Sequence, residues 1–133
     1  MPSPRERTRT TLFALGADAA SVVLFTAVGR RNHAEGLTAA GITGTAWPFL
    51  AGAGVGWLLA RGWRRPTAAS TGLAVWVSTV AVGMLLRRAT SDGTAVSFVV
   101  VASVATGLLI LGWRGVVAAL RRGARRPIDP GPD

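Results

Sequence analysis

The chain alternates four long apolar runs with short breaks rich in arginine, glycine and proline. The first run, Leu12 to Val28, stops at Gly29-Arg30-Arg31-Asn32-His33 and carries a single acid, Asp18. The second is most secure from Ala46 to Ala60, short for a crossing, and reaches back to about Thr38 or Gly41 for the ~20 residues that a hydrocarbon core requires. Residues 67–86 are uncharged throughout, and residues 94–113 form the most β-branched run. In lipid such a run must still be helical, because a lone strand leaves its backbone polar groups unpaired. The pattern predicts spans at about residues 12–29, 41–61, 67–86 and 94–113.

The breaks support the same division. Residues 1–10 are polar, basic and proline-containing, and read as a cytoplasmic tail with little to bury. Residues 30–45 form the longest and least regular connection. Gly62-Trp63-Arg64-Arg65-Pro66 is a tight turn whose proline suits the first turn of the next helix. Residues 11–120 thus make one membrane domain, whose last span is followed beyond Arg114 by a short amphipathic continuation to Leu120. Then comes a tail over 121–133 that is basic and then proline- and aspartate-containing, with the composition of a disordered end. The fold class read from this is all-α: a four-helix transmembrane bundle. Trp47 and Trp63 would mark its two interfaces.

Composition agrees with the pattern. Half of the 133 residues are hydrophobic and the mean hydropathy is +0.40, an excess for a soluble domain with so few charges. The net charge is +9, and all 15 basic residues are arginine. They sit at the ends of apolar runs, and no helix shows a basic stripe interleaved with aromatics, which argues against a nucleic-acid partner. Without cysteine, disulfides and thiolate chemistry are excluded. The first run resembles a signal peptide in its basic lead, but it is too long, contains Asp18 and has no small-residue cleavage site, so it reads as a retained span.

Arginine placement predicts orientation. Eleven lie on the side of the two termini and four (Arg30, Arg31, Arg87, Arg88) on the other, which puts both termini in the cytoplasm of a multi-pass protein of the cell membrane. Leu58 to Arg64 is echoed by Leu108 to Arg114, both ending in Gly-Trp-Arg. One arrangement this allows is two tandem helical hairpins related by an axis along the membrane normal. The other reading is that Gly-Trp-Arg simply ends a helix well at the inner interface.

Asp18 is the main chemical clue. An acid near the middle of a span costs roughly 2.5–3.5 kcal/mol on insertion scales, so it must be protonated, paired or hydrated. It shares a helix face with Ala14, Ser21, Val22 and Phe25, and this face should point into the bundle. The candidate intramembrane polar site is Asp18, Ser21, Trp76 and Thr79. Partners for the acid are the indole of Trp76, hydroxyls of Ser70, Thr71 or Thr106, or a snorkelling Arg61. Trp57 and Trp76 both lie inside spans, where each indole N–H needs an acceptor, and Asp18 can supply one.

Arg30, Arg31, His33, Arg87 and Arg88 form a candidate outer anion contact, suited to a carboxylate, a phosphate or a lipid headgroup. The alternative is snorkelling, with Glu35 and Asp92 as counter-charges. Gly52 and Gly56 stand at the GxxxG spacing, a strip for close helix packing within the bundle, with a homodimer, or with a partner membrane protein. His33 is the single histidine, so neither a metal site nor another cofactor is expected. Nothing suggests an enzyme: there is no phosphate loop, and no paired carboxylates for acid and base work.

These residues together resemble a known family. Asp18, Phe25-x-x-x-Gly29-Arg30-x-x-His33, Trp47-Pro48-Phe49, Trp63-Arg64-x-Pro66, Trp76-x-x-Thr79-x-x-x-Gly83-x-x-x-Arg87, Ser97-Phe98-Val99 and Trp113-Arg114 look like the small four-span membrane proteins of domain of unknown function family 3054. The resemblance covers about residues 12–120. It implies four spans and a membrane address and brings no mechanism. Small multidrug transporters are similar in length and also carry an acid in the first span, but theirs is not this Asp pattern, and the arginine bias here opposes two-way insertion.

Two functions follow as expectations. One is a small-solute or ion transport or binding bundle, with Asp18 as its protonatable group. The other is a structural or accessory subunit that packs through the glycine strip, with Asp18 only a buried hydrogen-bond centre. In either case membrane lipids are the immediate surroundings.

Overall fold

The computed structural model describes residues 1–31, 36–90 and 93–127. Four helices account for most of them: α1 Pro4–Arg31, α2 Ala39–Ala60, α3 Ala69–Ala89 and α4 Val96–Ala124. Each is long and apolar enough to cross a bilayer. Large apolar side chains such as Leu12, Leu24, Leu58, Leu85, Val101 and Leu108 are exposed around the bundle. That is the surface a lipid-facing bundle presents and a soluble monomer avoids. The chain is an all-α, multi-pass membrane protein.

The first helix starts earlier than its apolar run. Residues 4–10, expected to lie in a tail, are its first two turns. The cause is a capping box. The Ser3 backbone N–H donates to Glu6 Oε2 at 2.6 Å, the Glu6 N–H donates to Ser3 Oγ at 3.3 Å, and Pro4 takes the first helical position. At the other end of the chain, α4 runs through Arg114 and on to Ala124, taking in the amphipathic continuation expected to Leu120 and one turn more. The final basic and proline-containing stretch is described only to residue 127, so disorder there lies outside the described residues.

Packing runs around a ring. α1 contacts α2 and α4, and α3 contacts α2 and α4, with α2 and α3 the most intimate pair. Glycines set that intimacy. A Cβ on Gly52 would lie 2.7 Å from the Ser78 carbonyl oxygen, and one on Gly56 would lie 2.7 Å from Val75 Cα. The Ser78 hydroxyl donates to the Gly52 carbonyl at 2.8 Å across the same seam. The strip at Gly52 and Gly56 is therefore filled by α3 of the same chain.

The core has two layers. One holds Phe25, Phe49 and Phe98, with ring centroids 5.6–6.3 Å apart, beside Val22, Ala46 and Ala102. The other holds Ala14, Ala53, Trp57, Val75 and Ile110, and lies toward the end of the bundle that carries the chain termini.

The two Gly-Trp-Arg segments are placed differently. Trp63 sits half-exposed in the turn after α2, whereas Trp113 lies within α4, so the two Gly-Trp-Arg segments are not equivalent positions. A different correspondence relates the hairpins. Arg30 at the end of α1 donates to the Gly36 carbonyl, and Arg87 at the end of α3 donates to the Gly93 carbonyl, each six residues downstream.

Candidate functional site: a buried carboxylate and guanidinium

Asp18 lies on the buried face of α1 together with Ala14, Ser21, Val22 and Phe25. It is 1% exposed. Its partner is Arg114, itself 3% exposed, reached from the opposite end of the chain. Arg114 Nη1 donates to Asp18 Oδ1 and Nη2 donates to Oδ2, both at 2.7 Å, giving the parallel two-bond fork that suits guanidinium to carboxylate.

Helix direction favours this meeting. α1 and α4 run antiparallel, as the Phe13–Trp113 and Phe25–Phe98 ring contacts require. Side chains on a helix lean toward its amino terminus. Asp18 thus leans toward the end holding the chain termini, and Arg114 leans away from that end, into the bundle. The two side chains converge from different depths.

Two indoles complete the carboxylate. Trp57 Nε1 of α2 donates to Oδ2 and Trp113 Nε1 of α4 donates to Oδ1, each at 2.9 Å. A carboxylate offers about four lone-pair positions, and four N–H groups fill them. On the other side, Arg114 Nε donates to the Pro66 carbonyl and Nη1 donates to the Ile110 carbonyl, both at 3.1 Å. The guanidinium also lies 4.3 Å from the centre of the Trp113 ring. The cluster ties α1, α2, the α2–α3 turn and α4 at one point.

Desolvating two ions costs several kcal/mol each, and only good geometry with further hydrogen bonds repays it. Here every oxygen of the acid and most N–H groups of the base are engaged. The arrangement can hold a fixed ion pair. For the carboxylate to take up a proton, one of its four donors would have to leave.

The expected polar site is thus partly replaced. Ser21, Trp76 and Thr79 are not the groups bonded to Asp18. The Ser21 hydroxyl donates to the Ala17 carbonyl at 2.7 Å and that of Thr79 to the Val75 carbonyl at 2.6 Å, each satisfying itself on its own helix four residues back. Trp76 Nε1 donates to the Ser103 carbonyl at 2.8 Å, lying against the bare backbone of Gly107. Thr71 bonds the Arg65 carbonyl, Thr106 bonds the Ala102 carbonyl, and exposed Arg61 ends α2. Of the donors named from sequence, only Trp57 reaches the acid.

The outer arginines behave as loop clasps. Arg30 donates to the Gly36 carbonyl and, through Nη1, to the Thr45 hydroxyl at 3.2 Å. Arg87 donates twice to the Gly93 carbonyl and stacks 4.4 Å from the Phe98 ring centre. Both are half-buried, while Arg31 and Arg88 are exposed. His33, Glu35 and Asp92 lie outside the described residues, so the proposed outer set is only partly described.

Arg114 is the residue that sequence reasoning missed. It read as the end of the fourth span with only a short amphipathic continuation to Leu120, whereas α4 runs unbroken to Ala124 and makes it a charge embedded in a long helix just as Asp18 is. Trp113-Arg114 was also among the motifs that carried the family resemblance. A family described as protein of unknown function, DUF3054, matches over residues 15–117, and the chain belongs to that family. Comparison with curated proteins brings no match. Comparison with solved structures brings none either.

Proposed function

We propose that this member of the family is a non-enzymatic accessory protein of the cytoplasmic membrane, with both termini inside, in which Asp18 is a structural ion-pair centre. One observation carries the reading: all four acceptor positions of the Asp18 carboxylate are filled, two by Arg114 and one each by Trp57 and Trp113. A proton-carrying acid exchanges partners during its cycle, whereas this one is held from two other helices, α2 and α4, at once. Orientation is supported by the arginines. Ten remain at the end with the chain termini once Arg114 is placed inside the bundle, against four at the other end. Surrounding lipids, and helices of a partner membrane protein, would meet the apolar outer faces, since the glycine strip is already covered by α3.

The alternative, a carrier that uses Asp18 as its protonatable group, predicts a different result in one experiment. The purified chain is reconstituted into liposomes with a pH-sensitive dye inside, as wild type and as Asp18→Asn with Arg114→Gln, which removes both charges together. The expected outcome is identical proton permeability for the two. Proton-coupled flux in the wild type that vanishes in the double variant, with helical content preserved by circular dichroism, would overturn the structural reading in favour of transport.

A further inference from the structure

At the end of the bundle that carries both termini, an open crevice of about 960 Å³ lies between the start of α1, the α2–α3 turn and the last turns of α4. Four arginines line it, Arg7, Arg64, Arg65 and Arg121, beside Trp63 and Thr67. Among the described residues none of these four is paired with a carboxylate, the ion pair of the bundle being Asp18 with Arg114. Arg121 donates to the Thr67 hydroxyl at 3.2 Å, and Arg7 has only the Met1 sulfur, 3.8 Å away. Glu6, the acid adjacent to Arg7, is turned to the Ser3 N–H.

Four like charges converging on one crevice repel each other, and an anion seated among them relieves that repulsion. Guanidinium forks match the paired oxygens of a phosphate. The helix behind the crevice adds to the field: α3 begins at its wall, and its N-cap position, Ala68, makes no side-chain cap bond, so the positive end of the helix dipole is open there. Trp63 is 51% exposed, placing an amphipathic indole where the headgroup layer of a spanned bilayer begins. The crevice is far larger than a bare phosphate ion, which suits a phosphate carried on a larger group.

We infer that this crevice binds a phosphate ester, with Arg64, Arg65 and Arg121 as its principal contacts and Arg7 closing it from α1. The phosphate has two sources, the headgroup of an anionic phospholipid or a soluble phosphate compound. The inference rests on the membrane address of the chain and not on the role proposed for Asp18, which substitutions in the crevice leave in place.

The test uses the full chain in phosphatidylcholine nanodiscs, with either phosphatidylglycerol added to the discs or inorganic phosphate and pyrophosphate added to the buffer. Binding is read as the rise in melting temperature and, for the lipid, as phosphatidylglycerol retained by the purified protein. Arg64→Gln with Arg65→Gln is compared with Arg5→Gln with Arg9→Gln, which removes the same charge from α1 outside the crevice, and Arg7→Gln with Arg121→Gln provides a second crevice pair. Both crevice pairs should weaken retention or stabilisation by about tenfold or more, and the control pair by less than about twofold. A response to phosphatidylglycerol alone assigns the lipid headgroup, and one to pyrophosphate or phosphate in neutral discs assigns the soluble source. Equal losses in crevice and control pairs, or no response to either anion, would overturn the site.

Discussion

Gly72 of α3 is the gap through which Arg114 reaches Asp18. A Cβ built at Gly72 would stand 2.7 Å from Arg114 Cδ and 3.2 Å from its Nε. An arginine stem is normally free to swing aside, but this one is fixed at its head by bonds to Asp18, Ile110 and Pro66. The added methyl group therefore collides with atoms that cannot move without breaking the ion pair. Gly72→Ala is expected to destabilise the bundle by about 1–3 kcal/mol, despite the helix propensity gained by replacing glycine. Gly115→Ala, one residue from Arg114 and meeting nothing within 4 Å, is the matched control and should be neutral or slightly stabilising. Thermal unfolding in detergent compares them, and equal behaviour of the two would mean that Gly72 is not the constraint.

The coupling between Asp18 and Arg114 is open to direct measurement. Removing one partner strands the other as an unpaired buried charge, so Asp18→Leu and Arg114→Met should each cost about 3–5 kcal/mol. Asp18→Leu combined with Arg114→Met removes both charges and should recover much of that loss, because replacing a buried pair by apolar groups is often close to neutral. A double-mutant cycle on unfolding free energies yields the interaction term. Additive losses in the cycle would show that the pair, though close, contributes no specific coupling.

The architecture was legible because its causes are local. Four apolar runs bounded by arginine, glycine and proline specify four helices, and the buried face of α1 follows from the spacing of Ala14, Asp18, Ser21, Val22 and Phe25. The early start of α1 was legible too, in Ser3-Pro4-Arg5-Glu6, but charge and proline content made that segment look like a tail. The partner of Asp18 was not available from local pattern. Arg114 lies 96 positions away, and although Gly115 to Leu120 continue the helix beyond it, interface arginines so commonly end spans that it reads as one of them. Ser21 and Thr79 are buried as the acid is but bond elsewhere: a hydroxyl inside a helix can satisfy itself on the carbonyl four residues back, so burial near an acid does not by itself make a partner.

Each indole that donates to Asp18 should have its own energetic and spectroscopic trace. Trp57→Phe and Trp113→Phe keep most of the ring volume and delete one N–H bonded to a buried charge, a loss of about 1.5–3 kcal/mol. Trp63→Phe deletes an indole for which the structure shows no hydrogen bond, and should cost far less. The same three variants, read by tryptophan emission on titration with denaturant, separate the two environments. The emission lost with Trp57 should be that of buried indole, that lost with half-buried Trp113 intermediate, and that lost with Trp63 that of interfacial indole. A Trp57→Phe variant as stable as wild type would remove α2 from the polar centre.

Replacing glycines along α2 distinguishes a bundle seam from a dimer seam. Gly56 faces Val75 and Ser78 of α3, with Val75 Cα 2.7 Å from where its Cβ would stand, while Gly54 meets nothing within 4 Å. Gly56→Leu must push α2 off α3 and should unfold the chain or lower its melting temperature severely, since the contact it would strike is backbone that cannot turn aside. Gly54→Leu adds an apolar side chain on a face open to lipid and should leave the fold intact. The decisive measurement is melting temperature alongside oligomeric state by light scattering in detergent. Were the strip a homodimer interface, Gly56→Leu would instead convert a dimer into a monomer that melts normally, because the new side chain would project between chains and leave the Ser78–Gly52 bond of each bundle undisturbed.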